Sequence, residues 1–407
     1  MTRTDSLPPM FTRLAWSNLA AQSAEQIGLA AAPMIAVLTL GAGVAATGLL
    51  QTAQTLPFVL FAIPAGLLAD RTSRRRVMAG AEALRALSLL AVLALVWLEW
   101  LSVPALAALG FVGASGTVAY SVAAPALVPA LVAPGALAVA NGRLELARTV
   151  AFAGGPALAG ALVGWTGGAL AFAAAAALSM WAVVMLFGLR EPARAGTPDR
   201  STLADIGEGA RFVFGHALLR PIFVTQFVFN AAFFMLQAVY VPYAVEHLGL
   251  SASGVGATLA TYGVGMIAGA LAAPGIMRRL WFGSVIVLGP VAGFAASLLM
   301  VATMWAPSAA LAALGFFLMG AGPIVWVIST ATLRQSVTPQ VLLGRVSAIN
   351  ITAYGARPAG AALGAAVGGL YGAETCLLLA SLGFLVQAFV ILTSPVRAVR
   401  RQPAMAG

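Results

Sequence analysis

Apolar runs dominate the chain, and short polar breaks separate them. The pattern predicts twelve helices, near 14–40, 45–69, 77–99, 103–123, 141–165, 168–189, 221–245, 252–274, 282–304, 308–332, 346–370 and 374–393. Runs of this length cross about 30 Å of hydrocarbon as α-helices, which need ~20 apolar residues. The breaks carry Gly, Pro or charge, as loops do. The ten-residue alternating segments of a membrane barrel are not visible.

The longest polar stretch, LREPARAGTPDRSTLADIGEGARFVFGHALLRP, splits the pattern into six helices and six. The expected organisation is a six-helix bundle over 1–190, a linker over 191–220, a second bundle over 221–396 and a tail over 397–407. The second half of the linker, LADIGEGARFVFGHALL, predicts an amphipathic helix lying along the inner membrane surface.

Charge assigns a side to each loop. All 22 basic residues are Arg. The N-terminus carries Arg3 and Arg13. The second loop carries Arg71, Arg74, Arg75 and Arg76, and the sixth Arg190, Arg194, Arg200, Arg211 and Arg220. The eighth has Arg278 and Arg279, the tenth Arg334 and Arg345, and the C-terminus Arg397, Arg400 and Arg401. The odd loops have none, only Glu99, Glu246 and Glu374 at their edges. Basic segments resist translocation, so both termini and all even loops are expected in the cytoplasm. The net charge of +10 then reports membrane topology, and no nucleic-acid partner is needed to explain it.

Composition agrees with this pattern. The chain is 61% hydrophobic and 8% charged, with a mean hydropathy of +0.97. A soluble domain carries about 25% charge. The single cysteine, Cys376, excludes a disulfide framework, and His216 and His247 form no metal-spaced cluster. The N-terminus lacks the features of a cleaved signal, so the first helix is expected to be retained. Arg without Lys, and abundant Ala, point to a GC-rich bacterial genome.

The halves repeat. NGRLELARTVAFAGGPALAG, from Asn141, aligns with LGRVSAINITAYGARPAGAA, from Leu343, at an offset of 202. Gly142-Arg143 matches Gly344-Arg345, and Pro156 matches Pro358. The fifth and eleventh helices are thus counterparts. The second and eighth are too, since GLLADRTSRRR is echoed by GALAAPGIMRR. Two halves in one orientation suggest a parallel duplication with a binding site between them at mid-membrane.

The loop after the second helix reads Gly66-x-Leu68-Ala69-Asp70-Arg71-x-Ser73-Arg74-Arg75. It resembles the second-loop signature of the major facilitator superfamily, G-x-L-a-D-r-x-G-r-k/r, with Ser73 in place of the usual Gly. TLPFVLFAIPAGLLADRTSRRRVM, LVPALVAPGALAVANGRLELARTVAFAGGPALAG and LRQSVTPQVLLGRVSAIN resemble the branch holding enterobactin-type siderophore exporters and secretion permeases. The fifth helix is also similar to the antiporter motif of drug exporters. It presents Gly142, Ala151, Gly155-Pro156 and Ala159-Gly160, two of them Ala where the motif has Gly. The physical logic is a Pro kink beside small residues that let helices pack closely. The drug exporters' fourth-helix Arg is absent from FVGASGTVAYSVAAPALV. The resemblance implies an all-α integral membrane protein with twelve transmembrane helices in two pseudo-symmetric six-helix bundles.

Candidate working residues follow. Glu25 lies mid-way along the first helix, where an ionised acid costs at least ~2.5–3.5 kcal/mol. Asn18, Gln22 and Glu25 share a helical face, and in the superfamily the first helix lines the central cavity. Glu25 is expected to couple protons or recognise a cation, against the alternative of a buried acid satisfied by neighbouring amides and hydroxyls. Arg357 sits near the centre of the eleventh helix, matching Gly155. It needs a counter-charge such as Glu25, an anionic ligand, or a route along its stem to the interface. Gln226, Asn230 and Gln237 share a stripe with Phe233 and Tyr240 on the seventh helix. That stripe suits an amphipathic or aromatic ligand, or hydrogen bonds between helices. Glu82/Arg85 and Glu145/Arg148 read first as local ion pairs and second as gating groups. Gly155, Pro156 and Pro358 are candidate kinks.

The Arg residues of the second loop serve as a topology anchor, but Asp70 opposes the dipole of its own helix. Asp70 with Arg71, Arg74, Arg75 and Arg345 is expected to form a gate, the acid capping the start of the eleventh helix. No nucleophile set, metal cluster or phosphate loop appears, so neither an enzyme nor a cofactor is expected. The sequence thus predicts a monomeric secondary transporter of the bacterial inner membrane. It would export a small amphipathic, siderophore- or drug-like molecule by proton antiport and alternating access. An importer or lysophospholipid flippase of the same fold is the first alternative, and a non-transporting sensor or assembly partner the second. The partners expected are a small-molecule substrate, protons and the lipid bilayer.

Overall fold

The computed structural model describes residues 8–133, 136–191, 202–339 and 342–401. The first pass is α1 (Pro9–Leu38), opened by Pro9, whose missing N–H needs no partner there. The second pass comes as two helices, α2 (Val44–Thr55) and α3 (Pro57–Arg71). The break at Leu56 lies just before Pro57, which has no N–H to give the carbonyl of Ala53, four residues earlier, although Leu56 itself keeps helical angles. Four unbroken passes follow, α4 (Arg74–Trp97), α5 (Val103–Leu131), α6 (Leu137–Thr166) and α7 (Ala169–Phe187). The linker helix is α8 (Thr202–Gly215). Then come α9 (Leu219–Glu246), α10 (Ala252–Arg279), α11 (Phe282–Ala302) and α12 (Ala309–Val337). The eleventh pass is α13 (Leu343–Thr352), a 3-10 turn (Ala353–Gly355) and α14 (Ala356–Tyr371). The last pass is α15 (Ala373–Thr393).

Two boundaries differ from expectation in an informative way. The fourth pass continues to Leu131 through Pro125 and Pro129. A proline deletes one hydrogen bond, whereas leaving the helix inside hydrocarbon would strand many, so helix persists. The third pass starts at Arg74, not 77, with Ser73 accepting from the N–H of Arg76. Three arginines thus sit in the first turn of α4, where the helix dipole disfavours cations.

Ten helices among the described residues are long and apolar enough to cross a membrane. The first and eleventh passes fall outside that set. They are the passes that carry Glu25 and Arg357, and the eleventh is also interrupted by its 3-10 turn. Trp97, Trp100, Trp165 and Trp305 are all at least three-quarters exposed or close to it, beside loops that carry no Arg. That placement matches the aromatic belt of a membrane interface. The chain is a multi-pass membrane protein with twelve helical passes.

The chain divides into two compact units. The first comprises residues 1–42, 53–198 and 251–260. In it α1 packs on α6 and α7, and α4 on α5 and α7. Phe11, Leu14, Met78, Tyr120, Leu127 and Leu186 share its core. Gly160 of α6 meets Gly256 of α10 so closely that a Cβ on either would strike backbone. The second unit comprises residues 43–52, 199–250 and 261–407. In it α9 packs on α14 and α15, and α11 on α12. Gly48 of α2 rests against the backbone of Ala365 on α14, and Gly360 of α14 against the carbonyl of Ala231 on α9. Small residues let membrane helices approach where no hydrophobic force draws them together.

Candidate functional site

In the first unit a cluster of charge lies inside the helices. Arg85 of α4 donates to the carbonyl of Ala21 on α1 (2.9 Å), to Glu82 Oε2 (3.0 Å) and to Thr117 Oγ1 on α5 (2.7 Å). Its other terminal nitrogen stands 4.0 Å from the Glu25 carboxylate. Glu82 is fully buried, and its Oε1 lies 2.8 Å from Arg85 Nη1 without hydrogen-bond geometry. Glu25 is the most exposed member of this trio, its side chain 16% exposed against 5% for Arg85. Two carboxylates therefore share one guanidinium. Below them Ser17 Oγ pairs with Tyr120 Oη at 3.3 Å and reaches the carbonyl of Ala182.

The sequence places Glu82 with Arg85 as an i, i+3 pair, and that pair exists. Its reach to α1 and α5 is not readable from spacing. The available signal was depth: Glu82 lies eight residues into α4, about 12 Å from its start at 1.5 Å per residue. The other pair, Glu145 with Arg148, is exposed, and Arg148 also covers the ring of Phe152. Asn18 donates to the carbonyl of Leu144 on α6 (3.3 Å), and Gln22 is half-buried. Gly155 faces Gln26 of α1, and Pro156 lies within α6 without breaking it.

The arginine-rich start of α4 is held by an acid from a distant segment. Glu191, beyond the end of α7, accepts from Ser73 Oγ (2.5 Å) and from the N–H groups of Arg74 and Arg75 (3.2 Å each). Arg74 reaches the carbonyl of Ala126, Arg75 that of Leu189 (3.0 Å), and Arg13 that of Gly188. Partial burial works against ionisation of Glu191. The bonds from Ser73, Arg75 and Arg74 and the charge of Arg74 outweigh it, so its carboxyl sits below the usual range. The acid supplies the negative charge that a helix N-terminus favours. Arg71 is exposed, and the side chain of Asp70 lies outside the described set.

In the second unit Arg357 donates from Nε to Asn230 Oδ1 (3.1 Å), and Asn230 donates to the carbonyl of Gln226 (2.8 Å). The guanidinium lies over the rings of Tyr354 (4.2 Å) and Phe234 (5.2 Å). Pro358 explains the local break. It has no N–H to give the carbonyl of Tyr354, four residues earlier, and the 3-10 turn falls there. Phe233 stacks on Phe229 and meets Tyr262. Gln237 is half-buried, and Tyr240 is fully buried, edge-on to Phe316 at 4.6 Å. Arg345 pairs with Glu208 of α8. Among the described residues no group of three His, Cys, Asp or Glu could hold a metal ion.

A multi-pass helical architecture with charge held inside the helices fits a membrane transporter of the major facilitator type. Residues 10–406 match the family described as transmembrane secretion effectors, a branch of that superfamily, and the chain belongs to it. No curated protein matches the chain. The fold is similar to that of the nucleoside transporter NupG, at a TM-score of 0.70 and 15% identity over 95% of this chain and 98% of that one. A bacterial homologue of the iron transporter ferroportin in an inward-facing state gives 0.67 and 20%, over 94% and 100% of the two chains. A bacterial homologue of the human lysosomal transporter Spinster gives 0.71 and 15%, over 97% and 99%. At these identities the likeness is one of fold.

Proposed function

We propose that the protein is a proton-coupled exporter of a small amphipathic molecule, siderophore- or drug-like, working by alternating access in a bacterial inner membrane. Both termini and the Arg-bearing loops face the cytoplasm. The observation that carries proton coupling is the trio of Glu25, Arg85 and Glu82. With all three ionised, the trio bears a net charge of −1 within the membrane, a more expensive state than a neutral one. A proton on Glu25 leaves a neutral trio with the Arg85–Glu82 pair intact. Glu25 is also the more exposed of the two carboxylates. Protonation there removes the cost of closing the site, and proton release restores it. That differential cost is what lets a proton gradient bias one conformation over another.

Outward direction is supported by the family's description as secretion effectors. The proposed substrate-contacting residues are the polar and aromatic stripe of Gln226, Asn230, Phe233, Gln237 and Tyr240 with Arg357 in the second unit, and Asn18 and Gln22 in the first. Asp70, Arg71, Arg74, Arg75 and Arg345 form the proposed gate, and Gly155, Pro156 and Pro358 the flexing points. The test is transport into everted vesicles over a panel of siderophores and drugs, with and without a pH gradient. Glu25→Gln should abolish the response to the gradient and leave downhill exchange. Gradient-driven accumulation equal to wild type would remove Glu25 from the proton path.

A further inference from the structure

Arg334, in the last turn of α12, has no hydrogen bond or ion pair among the described residues. It is half-buried and lines a pocket with Asn350 of α13. The remaining walls are apolar: Val213 of α8, Leu219, Ile222 and Phe223 of α9, and Val346 of α13. The enclosed space is about that of a single water molecule, so the pocket can seat one charged group at its mouth but cannot enclose a whole ligand.

Among the described residues no acid pairs with Arg334. From Gly209 to the C-terminus the only acidic residues are Glu246 and Glu374. Glu246 ends α9, at the opposite end from Ile222 and Phe223, and Glu374 pairs with His247. Glu208, on the linker helix, is taken by Arg345. An arginine stays charged at any relevant pH and offers a planar fork that fits the oxygens of an oxyacid. Tyr354, one turn beyond Asn350, is close enough to Arg334 to interact with it electrostatically, and its ring also carries Arg357. Positive charge thus continues from the pocket toward the helix break.

We infer that this pocket takes the anionic head of an amphiphile, with a phosphate, carboxylate or sulfonate on Arg334 and Asn350 and the hydrocarbon against the apolar walls. Two sources share that chemistry: an anionic lipid of the cytoplasmic leaflet, and an amphipathic acid awaiting export. The assignment needs only the membrane topology, not proton coupling.

The test reads binding to the purified full chain in a neutral detergent with no gradient, so a failure of the proton mechanism would not disturb it. Octyl phosphate, octyltrimethylammonium and inorganic phosphate are titrated against intrinsic tryptophan fluorescence and thermal stability. Octyl phosphate should bind at least tenfold more tightly than the other two. Arg334→Gln should lose that preference, and Asn350→Leu should weaken it while keeping the charge. Equal binding of the anionic and cationic amphiphiles by wild type would overturn the assignment, whether or not the variants fold. So would unchanged octyl phosphate affinity in folded Arg334→Gln. In nanodiscs, competition by phosphatidylglycerol but not phosphatidylcholine assigns the site to a lipid head. Binding unaffected by either lipid, with export of octyl phosphate from cells, assigns it to a solute.

Discussion

Arg85 ties three helices of the first unit together. It ties α4 to a carbonyl of α1 and a hydroxyl of α5, and it neutralises a fully buried acid. Removing one partner of a buried pair leaves the other charged and unsolvated, at about 3–5 kcal/mol, whereas removing both can be nearly neutral. Arg85→Ala should therefore lower the melting temperature in detergent sharply, and adding Glu82→Gln should recover most of the loss. Strict additivity of the two substitutions would show that they do not interact. The sequence identifies both residues and their i, i+3 spacing. It does not say that the guanidinium also reaches within 4.0 Å of Glu25. That contact depends on the rotation of α1 against α4, which no periodicity encodes. Arg357 makes the same point, because its depth is legible but its seat on Asn230, Tyr354 and Phe234 is not.

At the scale of elements, the cluster Arg74–Arg76 turns out to be the first turn of a helix. Cations there act against the macrodipole, and Glu191 offsets them while taking two free N–H groups. Because its folded pKa lies below the usual 4.5, Glu191 adds stability that is fully present above that pH. The contribution fades as pH falls through the lower folded value. Glu191→Gln should therefore be less stable than wild type at pH 7, and the gap should close as the pH is taken well below 4.5. A gap constant across that range in paired thermal melts would exclude an ionised cap. Glu191 was not legible as a functional residue, since it lies well over a hundred positions from its partners in a stretch that reads as linker.

At the scale of the whole molecule, the two units exchange short segments. Residues 43–52, which open the second pass, belong to the second unit, and residues 251–260, which open the eighth, to the first. The sequence repeat pairs these same passes, and it pairs the fifth with the eleventh. The exchange follows that pairing: α2 sits on α14, and α10 on α6. Gly48 and Ala365 meet within the second unit, where a Cβ at 48 would strike the backbone of Ala365 at 2.5 Å. Gly48→Leu should therefore force α2 off α14, lower the melting temperature in detergent and cut transport. A Gly48→Leu protein as stable and active as wild type would show that the close approach is not needed.

What the sequence determined by itself is local and additive. Twelve apolar passes, a polar linker after the sixth and a one-sided distribution of Arg are properties each segment carries alone, because hydrocarbon forces helix and charge resists crossing. The duplication was also legible, through paired Gly-Arg and Pro. The tertiary structure decided which charges meet. Arg85 beside two acids, Glu191 on a distant helix start and Arg334 beside Asn350 in an otherwise apolar pocket each depend on how neighbouring helices turn and how closely small residues let them approach. Those are outcomes of packing many segments at once, and no single run of residues contains them.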